Sequence, residues 1–169
     1  MNNLIFLDLI EPAIGEAKLP QPATIEDLME FHDPATVEMI VQEECADLGK
    51  IYFSKDIEGK DIQEFIKNEV SNFKPDWVIA VGKSASAALT LKNQRKILLN
   101  PRVSKTDLCK GVSDFEKENT YIIIEEENDY YYERVKSTYP ESYFFYSPDP
   151  NHNIAMHKEL IEDIINERS

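Results

Sequence analysis

The run Trp77-Val78-Ile79-Ala80-Val81 is apolar at every position. A strand with one face in water alternates, whereas a strand covered on both faces does not, and parallel sheets are built from the second kind. The run therefore demands helices above and below it, and the rest of the chain supplies them. "NLIFLDLI", "KIYFS", "KILLN", "TYIIIEE" and "SYFFYS" read as further strands. Between them lie helical periods. "ATVEMIVQEECADL" carries a stripe of Val37, Ile40, Val41, Ala46 and Leu48, with Asp33 as cap, Pro34 at the first helical position and Gly49 as its end. Asp61 opens "IQEFIKNEVSNF", where Ile62, Phe65, Ile66 and Val70 share a face. "SASAALTLK", "YYYERVKST" and "IAMHKELIEDIINE" complete the set. Residues 11–33, with Pro12, Pro20 and Pro22, read as a loop with a short helix at 25–31, and residues 102–119 as polar and irregular. Strand and helix in alternation imply right-handed crossovers and a mostly parallel sheet in a three-layer α/β sandwich, here one domain over residues 1–169. In such folds function collects beyond the carboxyl ends of the strands, here the turns after Val81, Glu125 and Tyr146.

Charge narrows the function classes. Eighteen basic against 32 acidic residues give a formal net charge of -14. Nucleic acid and anionic membrane surfaces are repelled by that field, so neither is an expected partner. The two cysteines, Cys45 and Cys109, have neither disulfide-framework nor metal-knuckle spacing and read as buried free thiols. "MNNLIFLDLIEP" is interrupted by Asp8 and Pro12 too early for a signal peptide or a membrane span, which makes a soluble cytoplasmic protein the expectation.

After the apolar run comes Gly82-Lys83-Ser84-Ala85-Ser86, which two chemistries could claim. A phosphate loop needs a glycine five positions before Gly-Lys-Ser so that flexible backbone can wrap the phosphates. Trp77 stands there, followed by strand formers, and a nucleotide site is rejected. A hydrolase nucleophile turn needs small residues two positions either side of the serine, between a strand and a helix. Gly82 and Ser86 flank Ser84 in that context. The plain alternative is that Ser84 caps a helix.

A serine hydroxyl is a weak nucleophile and needs a histidine base held by a carboxylate, following in the order Ser, Asp or Glu, His. Asp129 follows the strand "TYIIIEE" in the turn "ENDYY", and His152 follows "SYFFYS" in "PDPNHNI". Asp129 otherwise reads as the cap of the next helix and His152 as a solvated loop residue. His157, inside the closing helix, reads as a surface residue, and His32 as structural. Glu126 and Glu127 compete with Asp129 but lie nearer the strand.

"VIAVGKSASAALTL", followed by "KILLNPRV", resembles the nucleophile segment of the YqiA-like small esterases of the alpha/beta-hydrolase superfamily. "YIIIEEENDYYYERV" and "SPDPNHNI" resemble that family's turns bearing the triad aspartate and histidine. The resemblance spans residues 36–167 in element order. It implies a minimal, capless alpha/beta-hydrolase fold and a serine hydrolase acting on small esters or thioesters, with Ser84, Asp129 and His152 as its triad and no metal or organic cofactor. The oxyanion would be held by the N–H of Ala85 and one from Ile10. The family opens with a strand followed by His-Gly, which supplies an oxyanion donor. Here Ile10-Glu11-Pro12 stands in that place, and proline has no N–H to give. Losing one such donor costs about a hundredfold in turnover. That departure supports the competing reading, a catalytically impaired protein of the same fold that serves as a binding or interaction module.

Overall fold

The computed structural model describes residues 2–7, 34–101, 111–125, 135–145 and 154–168. Six strands form one sheet: β1 Asn3–Phe6, β2 Lys50–Tyr52, β3 Trp77–Val81, β4 Arg95–Leu99, β5 Thr120–Glu125 and β6 Ser142–Phe145. Their order is β2-β1-β3-β4-β5-β6, and every neighbouring pair is parallel. The register sets Ile5 beside Ile51 and Ile79, and Val81 beside Leu99. The helices are α1 Pro34–Cys45, the single turn α2 Ser54–Ile57, α3 Ile62–Phe73, α4 Lys83–Ala88, α5 Asp114–Asn119 and α6 Lys158–Arg168. A helical turn covers residues 135–138, and the 3₁₀ turn Ile154–His157 leads into α6. Strand order reverses between β1 and β3, as in doubly wound sheets.

Both faces of the sheet are buried, as β3 requires. Ile5, Ile79, Ile97 and Ile123 join Val41 and Cys45 of α1 and Ile161, Ile164 and Ile165 of α6 in one core. On the opposite face Leu4, Phe6, Val78, Ala80 and Leu98 meet Ile66 of α3 and Ala85 and Ala88 of α4. A third cluster joins Ile122 and Ile124 to Val135 and Tyr139. Each fully buried isoleucine contributes about 1.5–3 kcal/mol of hydrophobic stabilisation. This arrangement, helices on both faces of a parallel sheet, is compatible with a three-layer sandwich.

Several local expectations hold. Asp61 caps α3, its side chain accepting the Glu64 N–H at 3.0 Å, and Ile66 is buried while Ile62, Phe65 and Val70 pack half-buried against the same core. Cys45 is a buried free thiol, and Cys109 lies outside the described residues. Others are corrected. α1 stops at Cys45, and Gly49 does not end it in a left-handed conformation. Gly49 is there for close approach: a Cβ would lie 2.3 Å from the Asn3 carbonyl oxygen, in the same junction where Asn3 Nδ2 donates to the Leu48 carbonyl at 2.8 Å. α4 ends at Ala88, four residues sooner than the sequence suggests, because the chain turns to bury Leu91. His157 is buried, not a surface residue. Residues 114–119, expected to be irregular, form α5, whose cap Ser113 accepts the Glu116 N–H.

α5 exists to complete a buried ion pair. Lys96 lies in β4, and its side chain is 1% exposed. Its ammonium donates to Glu116 of α5 and, at 2.8 Å, to the Leu91 carbonyl. The other Glu116 carboxylate oxygen accepts the Asn93 N–H at 2.9 Å. Burial pulls the Lys96 pKa down, and the carboxylate of Glu116 opposes that shift. The Cys45 thiol is pushed up to about 11 by burial, with Lys158 acting in the other direction.

Two measurements check this packing. Glu116→Ala strands a buried ammonium and is expected to cost about 3–5 kcal/mol in urea unfolding, whereas Lys96→Met with Glu116→Leu recovers most of that loss. Cys45 favours the folded state fully below its unfolded pKa of 9.0, and that advantage disappears as pH rises to about 11. Wild type should therefore lose more stability than Cys45→Ala between pH 8 and 10.5.

Candidate functional site

Because all six strands run the same way, every strand leaves the sheet at one edge. In doubly wound sheets ligands bind beyond this edge where the strand order reverses, here between β1 and β3. The β3 exit is built from small residues. The Gly82 N–H still pairs with the Leu99 carbonyl of β4 at 2.9 Å, so the ladder runs one residue past Val81 before the chain turns. Gly82 then takes φ 64°, ψ -122°, a conformation that side chains resist. Its carbonyl accepts the Ser86 N–H at 3.1 Å, starting α4. Ala85 and Ala88 let α4 settle closely on the sheet.

Ser84 is the second residue of α4. The positive φ of the turn belongs to Gly82, and Ser84 itself is helical. The side chain of Ser84 is 1% exposed, and its Oγ has no hydrogen-bond partner among the described residues. A buried hydroxyl without a partner costs about 1–3 kcal/mol, and Trp77 Nε1 and Thr120 Oγ1 share that state among the described residues. Nor is Ser84 a helix cap, because Gly82 occupies that position and no side-chain cap bond is made. Ala85 is buried directly behind it. In the first turn of a helix the N–H groups have no intrahelical acceptors, which leaves that of Ala85 available at this edge. Lys83, between the turn and the serine, is exposed.

β4 leaves the sheet beside this turn through Asn100 and Pro101. The Asn100 N–H donates to the Ile123 carbonyl at 2.9 Å, and Asn100 has φ 47°. The sequence reading does not single out the left-handed conformation of Asn100. The signal was present in Asn-Pro: proline disfavours the α region for the residue before it, and asparagine is the residue that most readily accepts a left-handed one.

Asp129, His152 and Ile10 lie outside the described residues. β5 and β6, the strands that precede Asp129 and His152, end on the same edge as β3. Among the described residues there is no cluster of acidic, cysteine or histidine side chains fit to hold a metal ion. Also among them, no helix is long and apolar enough to cross a membrane. Comparison of the chain with protein-family models, curated proteins and solved structures finds no match.

The turn's conformation is directly testable. Gly82→Ala forces a Cβ into φ 64° and is expected to lower stability by about 1–3 kcal/mol in chemical denaturation. Ser84→Ala removes an unpartnered buried hydroxyl and should leave stability unchanged or raise it.

Proposed function

We propose that this chain is a small serine hydrolase of the alpha/beta-hydrolase type, acting on small acyl esters or thioesters. The observation that carries the reading is the Ser84 hydroxyl: buried, unpartnered among the described residues, and set just beyond the carboxyl end of a central strand. Asp129 stands four residues beyond Glu125, and His152 seven beyond Phe145. Two strand spacings separate β3 from β5 and three separate it from β6, about 10 Å and 14 Å. Extended chain covers about 13 Å in four residues and 23 Å in seven, so both side chains are within reach of Ser84.

In this reading Ser84 Oγ attacks the acyl carbon while His152 takes its proton. The carbonyl π electrons move onto oxygen, which the N–H groups of Ala85 and Ile10 receive. Collapse of the adduct breaks the bond to the alkoxide or thiolate, to which His152 returns the proton. Water then repeats the sequence on the acyl-enzyme and releases the acid. Asp129 orients His152 and stabilises its protonated form.

One observation favours a second reading, a protein of this fold that binds a partner or ligand without turning it over. The strained residue of the turn is Gly82, whereas a nucleophile elbow carries its serine on the strained turn itself. Treatment with a fluorophosphonate followed by intact mass separates the two. The hydrolase reading expects one adduct on wild type and none on Ser84→Ala. An unlabelled wild type, under conditions that label ordinary esterases, leaves only the binding module.

A further inference from the structure

The basic residues of this chain are unevenly spread. Residues 77–106 hold six of them, Lys83, Lys92, Arg95, Lys96, Arg102 and Lys105, and no carboxylate. The other twelve (18 − 6) share the rest of the chain with all 32 acidic residues. This acid-free stretch carries β3, the Ser84 turn, α4 and β4. Arg102 and Lys105 lie outside the described residues. Of the remaining four, Lys96 is buried against Glu116. Arg95 opens β4 at the incoming edge, its guanidinium 5.6 Å from the centre of the Trp77 ring, and Lys92 precedes it there. Only Lys83, among these four, stands on the outgoing edge, directly before Ser84.

Lys83 is exposed, and its ammonium meets no carboxylate, carbonyl or ring among the described residues. Lys50 and Lys60 are each held over an aromatic ring, and Lys158 by Asp47. The free cation adjoins a hydroxyl that is itself buried and without a partner among the described residues, that of Ser84. A neutral substrate of Ser84 needs no cation in that place. An anionic substrate does, because a net charge of -14 repels it from the protein as a whole. A compact ammonium on a flexible four-carbon stem suits the task. The absence of carboxylates from this stretch keeps its sequence neighbours from competing for it.

We propose that Lys83 is a specificity residue of the Ser84 site, its ammonium pairing with a negatively charged group on the ester or thioester that Ser84 attacks. The inference rests on the serine hydrolase reading and deepens it by naming the substrate class. That class is acyl esters with an anionic group, such as a carboxylate, on the acyl chain or on the leaving group.

The test compares kcat/KM on three esters. One is p-nitrophenyl hexanoate, which is neutral. Mono-p-nitrophenyl adipate carries a carboxylate on the acyl side, and p-carboxyphenyl hexanoate carries one on the leaving side. Relative to wild type, Lys83→Met is expected to lower the charged-to-neutral ratio about tenfold, and Lys83→Glu to lower it further. Lys83→Arg should retain it. The charged ester that responds identifies the side on which the anion sits. Salt at about 1 M, where the screening length is about 3 Å, should shrink the wild-type preference. Wild-type ratios in Lys83→Met for both charged esters overturn the proposal. So does an equal fall on all three esters, the mark of a purely structural role. Either result, with wild type still labelled on Ser84 by a fluorophosphonate, defeats this inference alone. A wild type that neither labels nor hydrolyses any of the three defeats the hydrolase reading, and this inference with it.

Discussion

A parallel sheet cannot be closed by tight turns: each strand must be returned by a crossover before the next can pair. Everything functional in this chain follows from that constraint. With six strands in one direction, every outgoing turn falls on one edge and every incoming one on the other. The crossovers bury both faces of the sheet, which is why β3 has no polar residue to spare. They also bring chemistry that is distant in sequence to a common line. Gly82 and Asn100 are 18 positions apart in sequence (100 − 82), yet they leave neighbouring strands side by side.

The exception inside the core shows how firmly that order is enforced. β4 places Lys96 where the sheet face is otherwise apolar, beside the buried Leu98 and Leu91. An unpaired ammonium there would be untenable, so α5 is positioned to deliver Glu116, and Glu116 in turn holds the Asn93 turn that feeds β4. A buried pair of this kind adds little net stability against an apolar substitute. It adds position instead, because few arrangements of the α4–β4 connection and α5 satisfy both groups at once.

The architecture was legible in the residues because its signals are periodic and repeated. All six strands, their alternation with helices and the Asp61 cap follow from apolar runs and turn chemistry. What escaped depended on contacts between distant segments. Ser113-Asp114-Phe115-Glu116 has the spacing of a capping box, but its carboxylate serves Lys96, a partner no local pattern names. Gly49 looks like a helix stop and is needed because Asn3 of β1 passes too close for a Cβ. His157 sits in a helical period of mixed polarity, and only the packing of the closing segment on the sheet decides that it is buried. Of the proposed site, Ser84 and Ala85 fall on described elements, whereas Asp129, His152 and Ile10 lie outside them.

The turn after β3 also shows where motif reading stops and conformation begins. Gly-x-Ser-x-Ser specifies small residues at the right spacing, but not which of them takes the strain. Here the glycine takes it, and the serine moves into the first turn of α4, where its hydroxyl is buried. A hydroxyl in that place has few local uses. It does not cap the helix, and no hydrogen bond to a described residue holds it. In the hydrolase reading proposed here, a histidine base accepts the proton of this hydroxyl and so recovers the cost of burying it.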